Sequence, residues 1–251
     1  MYIITTLVGY LMAGILILMI LLLVFIQSLA NNQHLFDRLI KALCRLIPLG
    51  FGVRIKVRGE EAVPREGSAI FIANHVNILD PLILYGHIPR FVRGVELDTH
   101  FRWPVWGPLV RRLGNIPISH QNTRSALESL KEATVRIKGG TSIVIFPEGH
   151  RTRDGRLQTF QSGPFLLAQT AGVPIQPIAL KGLWERKTVH SIFIKPGEVE
   201  FIYGTPFDAR EITEKSVRAL RKEAATRMAG MLLDGPEKHQ GNENPPRNFI
   251  D

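Results

Sequence analysis

Two short, almost unbroken apolar runs constrain this chain most: residues 68–73, Ser-Ala-Ile-Phe-Ile-Ala, and residues 141–146, Thr-Ser-Ile-Val-Ile-Phe. Runs this short, branched and aromatic suit strands buried on both faces, as in a largely parallel sheet covered by helices. Each run ends in a polar turn. Asn74-His75-Val76-Asn77-Ile78-Leu79-Asp80-Pro81 follows the first, and Pro147-Glu148-Gly149-His150-Arg151-Thr152-Arg153-Asp154-Gly155 follows the second. Open α/β sheets gather their sites beyond such strand ends, so the two turns are candidates for one shared site.

His75 and Asp80 carry the chemistry of the first turn. Asp80-Pro81 reads as an N-cap followed by proline at the first helical position, with Leu82 to Leu84 continuing a short helix. The pair therefore spans a strand-to-helix turn. On a continuous helix, residues five apart would point ~140° from each other, whereas a turn can fold the carboxylate back onto the imidazole. A carboxylate on one ring nitrogen fixes the tautomer and leaves the other nitrogen to take a proton. A histidine after a strand and an aspartate opening a helix are also ordinary structural residues, so the pair alone leaves both readings open.

The other elements follow in order. Residues 53–57 alternate like a first strand, and 91–97 and 113–120 read as two more. Residues 121–138 form an amphipathic helix stopped by Gly139-Gly140, and 163–171 a short apolar one. Residues 173–180 form a strand that Pro174 and Pro177 push toward a sheet edge. Residues 191–194 and 199–203 suggest a closing hairpin, and 214–233 a last amphipathic helix. Trp103 and Trp106, beside Arg102, Arg111 and Arg112, read either as an interfacial rim for lipid or as core with solvated charge.

Hydrophobic residues make up 45% of the 251, and the excess over a soluble chain sits at the start, where residues 1–33 hold no Lys, Arg, Asp or Glu. About 20 apolar residues cross a bilayer, and 2–30 is long enough. Ser28-Leu29-Ala30 has the small-x-small look of a cleavage site. The run nevertheless exceeds the ~7–15 residues of a secretory core and lacks a basic start, so 1–33 is expected to be a retained transmembrane or membrane-embedded anchor. Arg38, Lys41, Arg45, Arg54, Lys56 and Arg58 follow it and none precede it, which puts the rest of the chain on the cytoplasmic side of the inner (plasma) membrane. Residues 34–52 form a basic amphipathic helix, with Leu35, Leu39, Ala42, Leu43 and Leu46 on one side and Arg38, Lys41 and Arg45 on another. It suits either an anionic interface or packing on the domain. Residues 53–233 then form one domain, and the polar stretch 234–251 is expected to be disordered.

Lys and Arg number 31 against 22 Asp and Glu, a formal net charge of +9, which suits a membrane surface or an acidic partner. The basic residues are scattered, and no helix-turn-helix, zinc-finger or stacking pattern accompanies them, which argues against nucleic acid. Cys44 is the only cysteine, so neither a disulfide nor a cysteine metal pair is possible.

Asn-His-x4-Asp-Pro at 74–81, Phe-Pro-Glu-Gly-x-Arg at 146–151 and Val-Pro-Ile-Gln-Pro-Ile-Ala at 173–179, in that order, resemble the glycerolipid acyltransferases typified by 1-acyl-glycerol-3-phosphate acyltransferase. The resemblance covers about residues 50–205. It implies a fatty acyl group moved from acyl-CoA or acyl carrier protein to a lysolipid hydroxyl; no cofactor is expected, and no metal either, since no second histidine stands at ligand spacing from His75 and no Cys pair is available. It supports His75 as the group that takes the proton and Asp80 as the group that orients its ring, and it assigns acceptor binding to Glu148, Gly149 and Arg151. Three positions depart from the family pattern: His120 where arginine is usual, His150 where threonine is usual, and Gln161 where lysine is common. Two of these remove a cation that could face phosphate. Arg153 and Arg111 are then candidates to compensate, and the acceptor stays open between lysophosphatidate and another lysolipid such as a lyso-amino-lipid. No Gly-x-Ser-x-Gly elbow is present, so direct attack by the acceptor hydroxyl is expected rather than an acyl-enzyme. A lipid-binding protein without turnover is the alternative of a different class.

Overall fold

The structure, a computed structural model, describes residues 2–119 and 123–233, so His120 and the tail at 234–251 fall outside the described residues. In chain order the elements are α1 (Tyr2–Leu29), α2 (Asp37–Gly50), β1 (Val53–Arg58), β2 (Ile70–Ala73), α3 (Asp80–His87), β3 (Val92–Leu97), α4 (Trp106–Leu113), β4 (Ile116–Ile118), α5 (Thr123–Lys138), β5 (Ser142–Ile145), α6 (Gly163–Ala171), β6 (Ile175–Lys181), α7 (Leu183–Arg186), β7 (Gly197–Tyr203), α8 (Ala209–Glu214) and α9 (Val217–Leu233). The strands form one sheet in the order β1-β7-β6-β2-β5-β3-β4. Every neighbouring pair is parallel except β6 with β7. The mixed, partly parallel sheet flanked by helices is therefore the fold that the apolar runs imply.

Successive side chains of a strand face opposite sides of the sheet, and β2 divides accordingly. Phe71 and Ala73 enter an apolar cluster with α1, α2 and α3. Ile70 and Ile72 enter a second cluster with α5, α6 and α9. This double burial explains the lack of alternation in its sequence.

Three sequence expectations are corrected. The strand with Pro174 and Pro177 is not at an edge: β6 lies between β7 and β2. The N and O of a strand residue face the same neighbour, and the carbonyl of Pro177 accepts from Gly204 N at 3.0 Å. The missing N–H thus falls where β7 has already ended at Tyr203, and no ladder bond is lost. The expected hairpin is absent as well, because residues 188–196 form an irregular strap and β7 instead runs parallel to β1. The strap is tied to α1: Thr6 Oγ1 donates to the carbonyl of Ile194, and Tyr10 Oη to that of Ile192.

The third correction concerns the rotation of α2, which packs an apolar face of Ile40, Leu43, Cys44 and Ile47 on the core but takes Lys41 inside with it and leaves three leucines outside. Lys41 is buried, while Leu39, Leu46 and Leu49 are 45–50% exposed. Lys41 Nζ donates to the carbonyls of Ile88 and Arg90 at the end of α3 and sits 3.6 Å from Asp37. The carbonyl end of a helix suits a cation. Asp37 also meets buried Arg93 at 3.3 Å and the Tyr85 hydroxyl at 2.7 Å, a polar network that sets the rotation of α2.

The first helix docks lengthwise. Its buried residues are Thr6, Gly9, Ala13, Leu16, Ile20, Val24 and Gln27, a three-and-four spacing that puts one stripe against the protein from end to end. The opposite side shows Ile4, Leu7, Leu11 and Leu18, each 64–70% exposed.

Candidate active site

Strands β2, β5 and β6 are adjacent and parallel, so the turns that follow them emerge at the same edge. Beyond Ala73 the ladder continues through a side chain. Asn74 Oδ1 accepts from Leu180 N at 2.7 Å and Asn74 Nδ2 donates to the carbonyl of Leu180 at 3.2 Å. Asn74 thereby mimics one more residue of backbone pairing and fixes where the chain leaves the sheet.

The turn then folds Asp80 back. Asp80 is the first residue of α3 and makes no capping hydrogen bond there, which corrects the N-cap expectation. Its Oδ2 instead lies 2.6 Å from His75 Nδ1 and accepts from the backbone N–H of Val76 at 2.5 Å and of Asn77 at 2.9 Å. Asp80 is fully buried, and Oδ1 has no partner among the described residues. Burial pushes its carboxyl above the usual carboxylate range, against the opposing pull of His75 and the two backbone donors. The His75 ring stacks on Phe146, with centroids 3.9 Å apart and planes 11° from parallel. Its side chain keeps 19% exposure, and Nε2 makes no hydrogen bond among the described residues. The arrangement is an oriented imidazole with one nitrogen held and the other available.

The second turn braces the first. Glu148 accepts from His75 N through Oε1 and from Gln158 N through Oε2, both at 2.7 Å. Thr152 N donates to the carbonyl of His75 at 2.8 Å. Glu148 is 1% exposed, and burial raises its carboxyl to about 7 even though both oxygens accept backbone N–H groups. Gly149 sits at φ 75°, a left-handed conformation that disfavours any side chain. A Cβ there would meet only Gln161 Cγ at 3.7 Å, so backbone conformation rather than space requires the glycine. Arg151 and Arg153 are exposed on this turn. Arg111 is drawn to the carbonyl of Phe101 at 2.8 Å.

Sequence reasoning singled out His75, Asp80, Glu148, Gly149 and Arg151, and these are brought together. It assigned no role to Asn74, Asn77, Phe146 or Thr152, which hold the two turns in place. Their signal is positional: polar groups just past buried strand ends require partners. Asn77 is fully buried, accepting from Leu79 N at 2.9 Å and donating to the carbonyl of Lys187 at 2.9 Å. Cys44 lies buried in α2 with its thiol pushed up to about 12, far from a reactive thiolate. No three His, Cys, Asp or Glu side chains gather at ligand spacing among the described residues.

The acyltransferase family pattern matches residues 54–181, a span that contains both turns. A 1-acyl-sn-glycerol-3-phosphate acyltransferase of Limnanthes douglasii is 30% identical over 78% of this chain and 69% of its own length. A chloroplastic enzyme of the same name from Brassica napus is 30% identical over 63% of this chain. Lysophosphatidylcholine acyltransferase 1 of Rattus norvegicus is 28% identical over 71% of it. The chain spans 46% of the Brassica protein and 33% of the rat one. The fold is that of a 1-acyl-sn-glycerophosphate acyltransferase from Thermotoga maritima, with TM-score 0.77, 21% identity and coverage of 92% and 95% of the two chains. With the sequence match spanning both turns and the whole fold in agreement, this chain belongs to the acyltransferase family.

Proposed function

We propose that this protein transfers a fatty acyl group from an acyl thioester, acyl-CoA or acyl carrier protein, to the hydroxyl of a lysolipid, with 1-acyl-glycerol-3-phosphate as acceptor and phosphatidate as product. The observation that carries the reading is the 2.6 Å contact of His75 Nδ1 with buried Asp80 while Nε2 stays available. Nε2 takes the proton of the acceptor hydroxyl as its oxygen attacks the thioester carbonyl. The C–S bond then breaks, and the thiolate recovers that proton. Among the described residues no other cation lies beside Asp80, so the charge that develops on the imidazole is stabilised most at the transition state. Glu148, 1% exposed and holding the backbone N–H groups of His75 and Gln158, supports the turn rather than touching the acceptor. Arg151 offers a planar fork to phosphate. The names of the relatives support this acceptor class, and the buried thiol of Cys44 supports direct attack over an acyl-enzyme.

The membrane reading follows from α1 and α2. A helix of 28 residues is ~42 Å long, and its docked stripe runs that whole length. Crossing a bilayer would draw Arg112, which lies beside Leu21 and Phe25 of α1, into hydrocarbon, at a cost of several kcal/mol (roughly 2.5–3.5 on insertion scales). The segment 1–33 is therefore embedded along one leaflet, with its exposed side and the outward leucines of α2 in lipid. Trp103 and Val105, 54% and 65% exposed, offer further apolar surface just before α4, whereas Trp106 is withdrawn to Glu96 at 2.8 Å. The remainder, 53–233, stands on the cytoplasmic side.

The test is product identification with the full chain in vesicles. Acyl-CoA and acyl carrier protein are each paired with lysophosphatidate and with a lyso-amino-lipid, and the products are identified by mass spectrometry. Phosphatidate from either acyl donor supports the proposal. Product only from another lysolipid moves the acceptor, and no product from any pair contradicts acyl transfer.

A further inference from the structure

Helix α9 lies outside residues 54–181, the span of the family match, and its first two turns carry positive charge that the fold does not use. Leu220, Ala224 and Met228 form its buried stripe and enter the cluster with α5 and α6. Arg218 and Lys222 are exposed, each ~160° around the helix from Leu220, and Arg221 is half-buried between that side and the stripe. The nearby carboxylates are already engaged. Glu214 meets Arg210 at 2.7 Å, while Glu211 and Glu223 share Lys215 and Arg227 at 2.5–3.3 Å. Arg218, Arg221 and Lys222 are left without an acidic partner among the described residues. A helix N-terminus disfavours cations, and no acidic residue offsets Arg218 in the first turn, so these charges oppose the helix rather than support it.

Contacts place this basic patch beside the candidate site. Arg221 Nη1 donates to Ser162 Oγ at 3.4 Å, at the start of α6. The preceding residue, Gln161, donates its N–H to the carbonyl of Pro147 at 2.7 Å. Pro147 adjoins Glu148, which accepts from His75 N. The patch is also on the side away from the proposed lipid face: α9 packs with α5 and α6 on one face of the sheet, whereas α1 and α2 pack on the other. With α1 in lipid, these cations meet an acidic partner arriving from solution rather than an anionic bilayer.

We infer that Arg218, Arg221 and Lys222 form the docking surface for an acidic acyl carrier protein that brings the acyl thioester to His75. The choice of partner rests on the acyl-transfer reading above. A carrier protein holds its acyl group on a flexible arm, so its body has to stop beside the site and not within it, which is where this patch lies. Complementary charge across such a surface speeds encounter and selects the partner. CoA has no protein body to use the patch.

Equilibrium binding to the full chain in neutral detergent micelles tests this without turnover, using an acyl carrier protein whose thioester is replaced by a thioether that cannot react. Wild type should bind, and more weakly as ionic strength rises from about 0.05 to about 0.5 M. Arg218→Glu with Lys222→Glu should weaken binding at least about tenfold; glutamates at the start of a helix are favoured, so thermal unfolding should hold. Arg221→Gln alone should weaken it about threefold or more. Arg54→Glu with Lys56→Glu makes the same change in net charge at exposed positions of the edge strand β1 and should leave binding within about threefold. The inference is overturned if wild type does not bind the carrier protein, or if the two double reversals weaken binding equally, as net charge alone would. It is also overturned if the α9 reversal instead weakens binding to anionic vesicles, which would make lipid the occupant. Transfer from acyl-CoA by a wild type that does not bind the carrier protein would remove the docking surface and leave acyl transfer standing. Carrier binding at this patch with no transfer from any acyl donor would do the reverse.

Discussion

At the scale of single residues, burial is what distinguishes the carboxylates. Glu148 has its carboxyl raised to about 7 from an ordinary 4.5, so its protonation favours the folded state. That contribution is complete below pH 4.5 and is lost as pH rises through about 7. At ~1.4 kcal/mol per unit, the loss is at most about 3.5 kcal/mol. Glu148→Gln, which cannot ionise, should flatten this part of the profile. Urea unfolding of both proteins between pH 4.5 and 8 should show wild type losing stability relative to the variant as pH rises; parallel curves would refute the assignment. Cys44 gives a second expectation. With its thiol pushed up to about 12, iodoacetamide at pH 7.5 should leave acyl transfer within about twofold of untreated protein, and rapid inactivation would point to a thiol in the mechanism. That His75 and Asp80 meet was legible, because a strand-to-helix turn is what lets residues five apart do so, but the pair alone left a catalytic and a structural reading open. The inward engagement of Glu148 was not, since a motif does not reveal which way a carboxylate faces.

Among the elements, α1 and α4 carry the membrane account. Val105 holds φ 64° and ψ −56° at the start of α4, with Trp106 N donating to the carbonyl of Pro104 at 2.7 Å across this tight turn. A β-branched residue here stores of the order of 1–3 kcal/mol, yet the side chain is exposed and gains no protein packing. Val105→Gly should therefore raise the unfolding free energy by about 1 kcal/mol after the entropic cost of glycine while lowering vesicle binding. A loss of stability would show the turn to be unstrained. Leu11→Gln with Leu18→Gln, both on the exposed side of α1, should weaken binding to anionic vesicles at least about tenfold, given ~1.5–3 kcal/mol for each buried leucine, with unchanged thermal unfolding. Retained binding would move the anchor elsewhere. The strand runs and most helices were readable from periodicity. The face of α2 was not, because burying Lys41 depends on carbonyls at the end of α3 that only the folded chain brings near. The central place of β6 likewise depends on where β7 stops, which no proline count discloses.

On the scale of the whole molecule, the sheet, the candidate site and the helix α1 with its exposed apolar side form one unit. The parallel strands β2, β5 and β6 deliver both turns to one edge, and Asn77 links that edge to the strap. The strap in turn is pinned to α1 through Thr6 and Tyr10. Under the proposed function, these links tie the oriented base to the apolar face of α1 that is proposed to enter lipid. The most direct test is thiol release from a long-chain acyl thioester with lysophosphatidate in vesicles, comparing wild type, His75→Ala and Asp80→Asn at equal surface coverage. We predict that His75→Ala loses release entirely, and that Asp80→Asn loses roughly 10²–10⁴-fold in turnover with the KM for lysophosphatidate within about threefold of wild type. Wild-type turnover in either variant would contradict the account.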